Sequence, residues 1–177
     1  FDKPGEQHLG GMWKHVELSN LAFNEPPPGQ YPYQAVTGSP TLWDSYTLYY
    51  GFDQYLQTYS EDSSHGWGLF GRASISDGHP TPLRYFLSLG VGGYSPIRHR
   101  KGDQFGIAWY YVGASDQFGP RPQAIFGPQD GTGIELFYNV QITPWMTLTP
   151  DFQIVKPEAS AIAETAYIGG FRLNLKF

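Results

Sequence analysis

The chain has 177 residues, enough for one domain of ordinary size, and a formal net charge of −5 that removes the electrostatic case for nucleic acid. Only 15% of its residues are charged, where roughly 25% is usual in soluble domains, while aromatics reach 17%. No apolar run approaches the ~18 residues of a membrane helix, and the lack of cysteine excludes disulfides and thiolate metal sites.

Low charge, many aromatics and no long apolar run suit a transmembrane β-barrel, whose strands show only alternate residues to lipid. A sugar-binding β-sandwich would share this composition. The periodicity along the chain is two. The stretch 8–18 reads as a strand whose two faces the residues do not separate. A 27-residue connector follows at 20–46, and its EPPPGQYPY can neither form a helix nor pair fully in a sheet. It reads as an aromatic-pinned surface loop or as a loop folding over a pore mouth. Further strands are expected at 46–58, 67–76, 83–94, 105–113, 134–143, 146–155 and 165–177. In the last six of these, apolar residues such as Leu87, Leu89, Trp109, Ile134, Leu136, Phe152, Phe171 and Leu173 occupy one face. No segment has a 3.6-residue period, and AIAETA at 161–166 is too short to hold a helix alone. The expected fold is therefore all-β, a transmembrane antiparallel barrel of about eight strands in a single domain spanning 1–177. Connectors at 19–45, 77–82, 116–132 and 156–164 are mostly long and those at 60–65, 95–102 and 144–145 shorter on average, the expected alternation of extracellular loops and periplasmic turns. The weak member is 77–82, short where a long loop is expected.

The five histidines are scattered without paired ligand spacing, so no metal or other cofactor is expected. GVGG at 90–93 lacks the helix that a nucleotide loop needs, and close packing of strand backbones accounts for it. His65 and His79 flank the 67–76 stretch with serines nearby at 63, 64, 74 and 76, but nothing supplies the third member of a hydrolase triad, and no enzymatic activity is expected. The polar faces are more informative. They hold Asp53, Arg72, Arg84, Glu135, Asn139, Gln141, Asp151, Gln153, Arg172, Asn174 and Lys176. In a wide barrel these would line a wet lumen, where mixed charges and amides hydrogen-bond neutral hydroxyls. Phe70, Tyr110 and Phe137 on the same faces offer flat apolar surfaces to a sugar ring.

Particular words add to this. YGFDQYL (50–56), GLFGRASISDGHPTPLRYFLSLGVGGYSPI (68–97), DQFGIAWYYVGAS (103–115), ELFYNVQITPWMTLTPDFQIVKP (135–157) and IGGFRLNLKF (168–177) resemble the C-terminal half of the carbohydrate-selective porins of the OprB family. The resemblance covers most of the chain from about residue 44. It implies a 16-stranded barrel in the Gram-negative outer membrane that passes glucose-like sugars by diffusion, without a cofactor. It also implies contact with outer-membrane lipid, a homotrimer, and a C-terminal strand ending at Phe177 as the address read by the barrel-assembly machinery. One departure is the turn RHRKGDQFG (98–106), which keeps Arg98 or Arg100 and Asp103 but lacks the family's proline. The other is strand number, about half of that expected. Because an open sheet in lipid leaves backbone groups unpaired at several kcal/mol each, the chain is expected to be the C-terminal portion of a longer barrel. The competing readings are a small closed outer-membrane barrel with a structural or adhesive role, and a soluble β-sandwich that binds carbohydrate.

Overall fold

Alternation in sequence becomes alternation across a single sheet. The computed structural model describes residues 3–22, 41–59, 62–117, 127, 129–158 and 163–176. Eight strands follow one another as β1 (Gly5–Ser19), β2 (Thr41–Tyr59), β3 (Asp62–Ser76), β4 (Leu83–Tyr94), β5 (Gln104–Ala114), β6 (Gly131–Thr143), β7 (Met146–Lys156) and β8 (Ala166–Leu175). Each pairs antiparallel with its neighbours in chain order, β1 through β8. No helix occurs among the described residues. Strands of 10 to 19 residues reach or exceed the ~9–11 that a tilted strand needs to cross a bilayer. β2 is the longest, so it projects beyond the hydrocarbon layer.

Four boundaries differ from the sequence expectation by three residues or more, the first being β1, which begins at Gly5 instead of 8. β2 begins at Thr41, inside the expected 20–46 connector, so that connection shortens to 20–40. Its EPPPGQYPY, and the suggested fold over a pore mouth, lie outside the described residues. β3 begins at Asp62, which places His65 within the strand instead of beside it. The two histidines flanking 67–76 are thereby separated: His65 packs its ring 4.0 Å from Tyr94, while His79 lies 3.3 Å from Asp77. Ser76 donates its hydroxyl to the carbonyl of Leu83 at 2.7 Å, which commits it to the main chain. β6 starts at Gly131, three residues before the expected 134, because Tyr110, Tyr111 and Val112 extend the ladder onto Gly133, Thr132 and Gly131.

The sheet has no conventional core. Among the described residues only Tyr59 and Val112 are buried hydrophobics. Large apolar side chains instead stand exposed on one face, including Leu9 at 82%, Trp13 at 68%, Tyr167 at 71% and Phe171 at 83%. Each such side chain left in water forgoes about 1.5–3 kcal/mol of burial. A soluble sandwich would cover this face with a second sheet, yet all eight strands belong to one. An uncovered apolar face on a single sheet is what the strands of a membrane barrel wall present to lipid. Its polar tips are tied locally: the Trp109 indole donates to Thr132 Oγ1 at 2.9 Å, and Tyr50 donates to Gln7 Oε1 at 3.1 Å. A small closed barrel would pair β1 with β8, and no such pairing exists among the described residues. The short connections 60–61, 95–103 and 144–145 lie at one end of the sheet, the end that short turns mark as periplasmic.

Candidate functional site: the polar face

Strand register brings the polar residues into rows. One row runs Glu6, Asp53, Phe70, Gly90, Ala108, Glu135, Gln153 and Ile168 across the eight strands. The next runs His8, Gly51, Arg72, Ser88, Tyr110, Gly133, Val155 and Ala166. On the other side lie Tyr55, Gly68, Gly92, Gly106, Phe137, Asp151 and Gly170. Alternate positions on a strand are roughly 7 Å apart, so the three rows form a belt about 13 Å deep along each strand. Asp53, Arg72, Glu135, Asp151 and Gln153 all fall within it. Asp53, Arg72 and Glu135 are exposed and form no ion pair among the described residues. Glu6 sits directly opposite Asp53, a like-charge pairing that costs rather than contributes stability.

The remaining candidates lie away from this belt. Arg84 stands toward the long-connector end, where its Nη1 donates to Asp116 Oδ1 at 2.7 Å and its guanidinium lies 5.2 Å from the Tyr85 ring centre. Asn139, Gln141, Arg172, Asn174 and Lys176 lie toward the short-turn end. Asn139 Oδ1 is shut off from solvent without a partner among the described residues, so this side chain serves the wall more than the lumen. Gln141 packs its amide over Gly102 of the β4–β5 turn. Arg172 is exposed opposite the buried Thr149, and Lys176 is held through its main-chain N–H to the Trp145 carbonyl at 2.9 Å. Phe177 lies outside the described residues. Sequence reasoning missed Glu6 and His8, because the faces of 8–18 could not be separated and the strand was begun too late. The alternation of Glu6, His8 and Gly10 against Gln7, Leu9 and Gly11 is the signal that finds them.

Glycines decide how the aromatics stand. A Cβ at Gly90 would come within 2.4 Å of the Phe70 ring, one at Gly106 within 2.4 Å of Phe137, and one at Gly133 within 2.5 Å of Tyr110. Each ring therefore lies down over a bare backbone on the neighbouring strand, an aromatic covering a glycine. With a side chain beneath it, the ring would have to stand out into the lumen. Gly106→Leu should thus cost about 1–3 kcal/mol of stability through overpacking. It should also lower single-channel conductance while the barrel still folds, as planar-bilayer recording would show. An unchanged conductance would mean that Phe137 does not border the conducting path.

The comparisons with known proteins bear directly on this wall. The family model described as "Carbohydrate-selective porin, OprB family" matches residues 2–177. The chain belongs to that family. Porin B of Pseudomonas aeruginosa is 23% identical over 140 residues, which are 70% of this chain and 31% of that protein. The chain also superposes on the "High pH structure of Pseudomonas putida OprB" with a TM-score of 0.78 at 19% identity, covering 98% of this chain and 45% of the other. The chain thus spans roughly a third to a half of the length of the relatives it matches. The open sheet is a section of a porin barrel wall, in which apolar residues are the ones that alternate toward lipid. Its place is the outer membrane, and a porin family indicates a channel rather than an enzyme.

Proposed function

We propose that this OprB-family chain forms part of the wall of a pore through which neutral, glucose-like carbohydrates diffuse passively, with no enzymatic step. The observation that carries this reading is the lumen belt. It sets exposed carboxylates (Glu6, Asp53, Glu135) and the exposed Arg72 among rings lying flat against the wall. Carboxylates accept and a guanidinium donates hydrogen bonds to hydroxyls of either orientation, and such charge-assisted bonds are the stronger ones. The flat rings cover the apolar face of a pyranose. Around Glu6, Asp53, Tyr55 and Phe70 the wall leaves a hollow of about 440 Å³, room for one such ring. The like-charge Glu6–Asp53 pairing, unfavourable for the wall itself, is suited to that role. Asp151 belongs to the belt, and Arg84 on one side of it and Gln141, Arg172 and Lys176 on the other extend the polar lining.

In the same reading, the outer edges of β1 and β8 pair with further strands to close a barrel of about 16, as the unpaired edges require in lipid. Phe177 acts as the address for barrel assembly, and the closed barrels associate as trimers. The test uses the full-length protein containing this chain, reconstituted in planar bilayers and in liposomes. Glucose should enter the liposomes, and added glucose should reduce ion conductance through the open pore. Conductance indifferent to sugar, together with liposomes that exclude it, would overturn the carbohydrate assignment.

A further inference from the structure

A second surface lies on the opposite side of the wall, at the short-turn end. Ile97, Phe105, Leu136, Tyr138, Pro150 and Phe152 line a groove of about 570 Å³ that opens on the lipid face. Its floor is apolar, and the Tyr138 hydroxyl is turned aside to donate to Ser95 Oγ at 3.1 Å. The rim is different. The β4–β5 turn carries Arg98, His99, Arg100 and Lys101 in succession, all exposed, in a chain with only 11 lysines and arginines and a net charge of −5.

The turn is also held rigidly. The fully buried Asp103 accepts from Arg100 Nε at 2.7 Å and from the Gln141 main-chain N–H at 2.9 Å. Its own N–H donates to the Arg100 carbonyl and its carbonyl accepts from the Ser95 N–H. Lys101 lies 5.1 Å from the Tyr59 ring centre. His99 adopts a φ of 68°, a left-handed conformation that an exposed turn would relax if nothing constrained it. The cationic turn is therefore preformed and borders the groove where Ile97 leads into Arg98, with Arg100 held by Asp103 and Lys101 lying over Tyr59 of β2.

We propose that this groove holds one diacyl phospholipid of the inner leaflet, selected for an anionic headgroup by the turn 98–101. The acyl chains lie over Leu136 and Phe152, Ile97 packs against their upper carbons, and the phosphate meets Arg98 and its neighbours. Charge complementarity favours this occupant over a second copy of the chain, since protein interfaces are depleted in lysine and a basic rim gains nothing from an apolar wall.

The test is native mass spectrometry of the full-length protein in detergent, with phosphatidylglycerol and phosphatidylethanolamine of identical acyl chains. The protein should retain one phosphatidylglycerol in preference to phosphatidylethanolamine. Two charge-reversing changes, Arg98→Glu with Lys101→Glu, should reduce its retention by roughly ten- to thirty-fold and leave that of phosphatidylethanolamine unchanged. Leu136→Trp, which fills the groove, should reduce both. The milder Arg98→Gln guards against a misfolded double variant, and unaltered conductance confirms the pore. Equal retention of the two lipids, retention insensitive to the turn, or displacement by inorganic phosphate alone would overturn the proposal. So would lipid-free oligomers in which a neighbouring copy covers Leu136.

Discussion

Phe171→Asp should abolish insertion into the outer membrane, while Arg172→Asp, one residue further, should insert and change what the pore passes. The two positions are adjacent on β8 and point to opposite faces. Phe171 is among the most exposed large hydrophobics of the sheet at 83%, aligned with Pro150 of β7 on the lipid side. An aspartate there loses about 1.5–3 kcal/mol of aromatic burial and places a carboxylate in hydrocarbon. The combined penalty is about 2–4 kcal/mol or more. Arg172 is exposed on the polar face opposite Thr149, where water solvates either charge. Reversing its sign should leave folding intact and shift ion selectivity toward cations. Fractionation of outer membranes, followed by reversal-potential measurement on the variant that inserts, checks both halves. Equal insertion of the two variants would refute the facing of β8.

Asp103→Ala should be the most destabilising single change in the turns, at roughly 2–4 kcal/mol. Its carboxylate is fully buried and holds two segments together, the turn through Arg100 and the β6 main chain through Gln141, while the bond from the Ser95 N–H to the Asp103 main-chain carbonyl survives the change. Removing it strands the Gln141 N–H and leaves the Arg100 guanidinium without its counter-charge. The loss stays below that of a fully buried ion pair because the Arg100 side chain remains 42% exposed. Asp103→Asn keeps an acceptor for Gln141 and should lose less. Denaturant midpoints of the two variants in detergent decide this. Equal midpoints for alanine and asparagine would show that the acceptor offered to the Gln141 N–H contributes nothing.

The order and facing of the strands are legible in the sequence wherever the two faces contrast. In 134–143, Ile134, Leu136 and Tyr138 alternate with Glu135, Phe137 and Asn139, and β6 follows that alternation. β8 shows the same logic until its outer end, where Ile168 falls on the polar side. β1 resisted because charged or polar residues occur on both faces, and only its pairing with β2 resolves them. The start of β2 was hidden because Thr41 follows Pro40 and the stretch to Ser45 lacks a clean period two. Asp103 illustrates a deeper limit. An acid in a Gly-Asp turn ordinarily faces water, and its burial depends on Gln141, 38 residues away, arriving with a free N–H. The same holds for the ambiguity between Arg98 and Arg100 in that turn: register and side-chain geometry select Arg100 as the partner of Asp103. The lumen belt lies between these cases. Its members are visible one by one, but their gathering into three adjacent rows is a property of strand register, which neighbouring residues along the chain do not encode.

If alternate residues of this wall border a conducting, sugar-accessible lumen, thiols placed on its two faces differ in reactivity and in effect. This chain has no cysteine, so a thiol introduced into it is unique within it. The most direct measurement is therefore single-channel conductance of the full-length protein carrying one cysteine at a time at Glu135, Asp151, Leu136 or Phe152, before and after a bulky hydrophilic thiol reagent. Cysteines replacing Glu135 and Asp151 should react, and reaction should reduce both conductance and glucose entry. Those replacing Leu136 and Phe152 should stay unmodified with conductance unchanged. Modification of the second pair, or reaction of the first pair without any fall in conductance, would contradict the account.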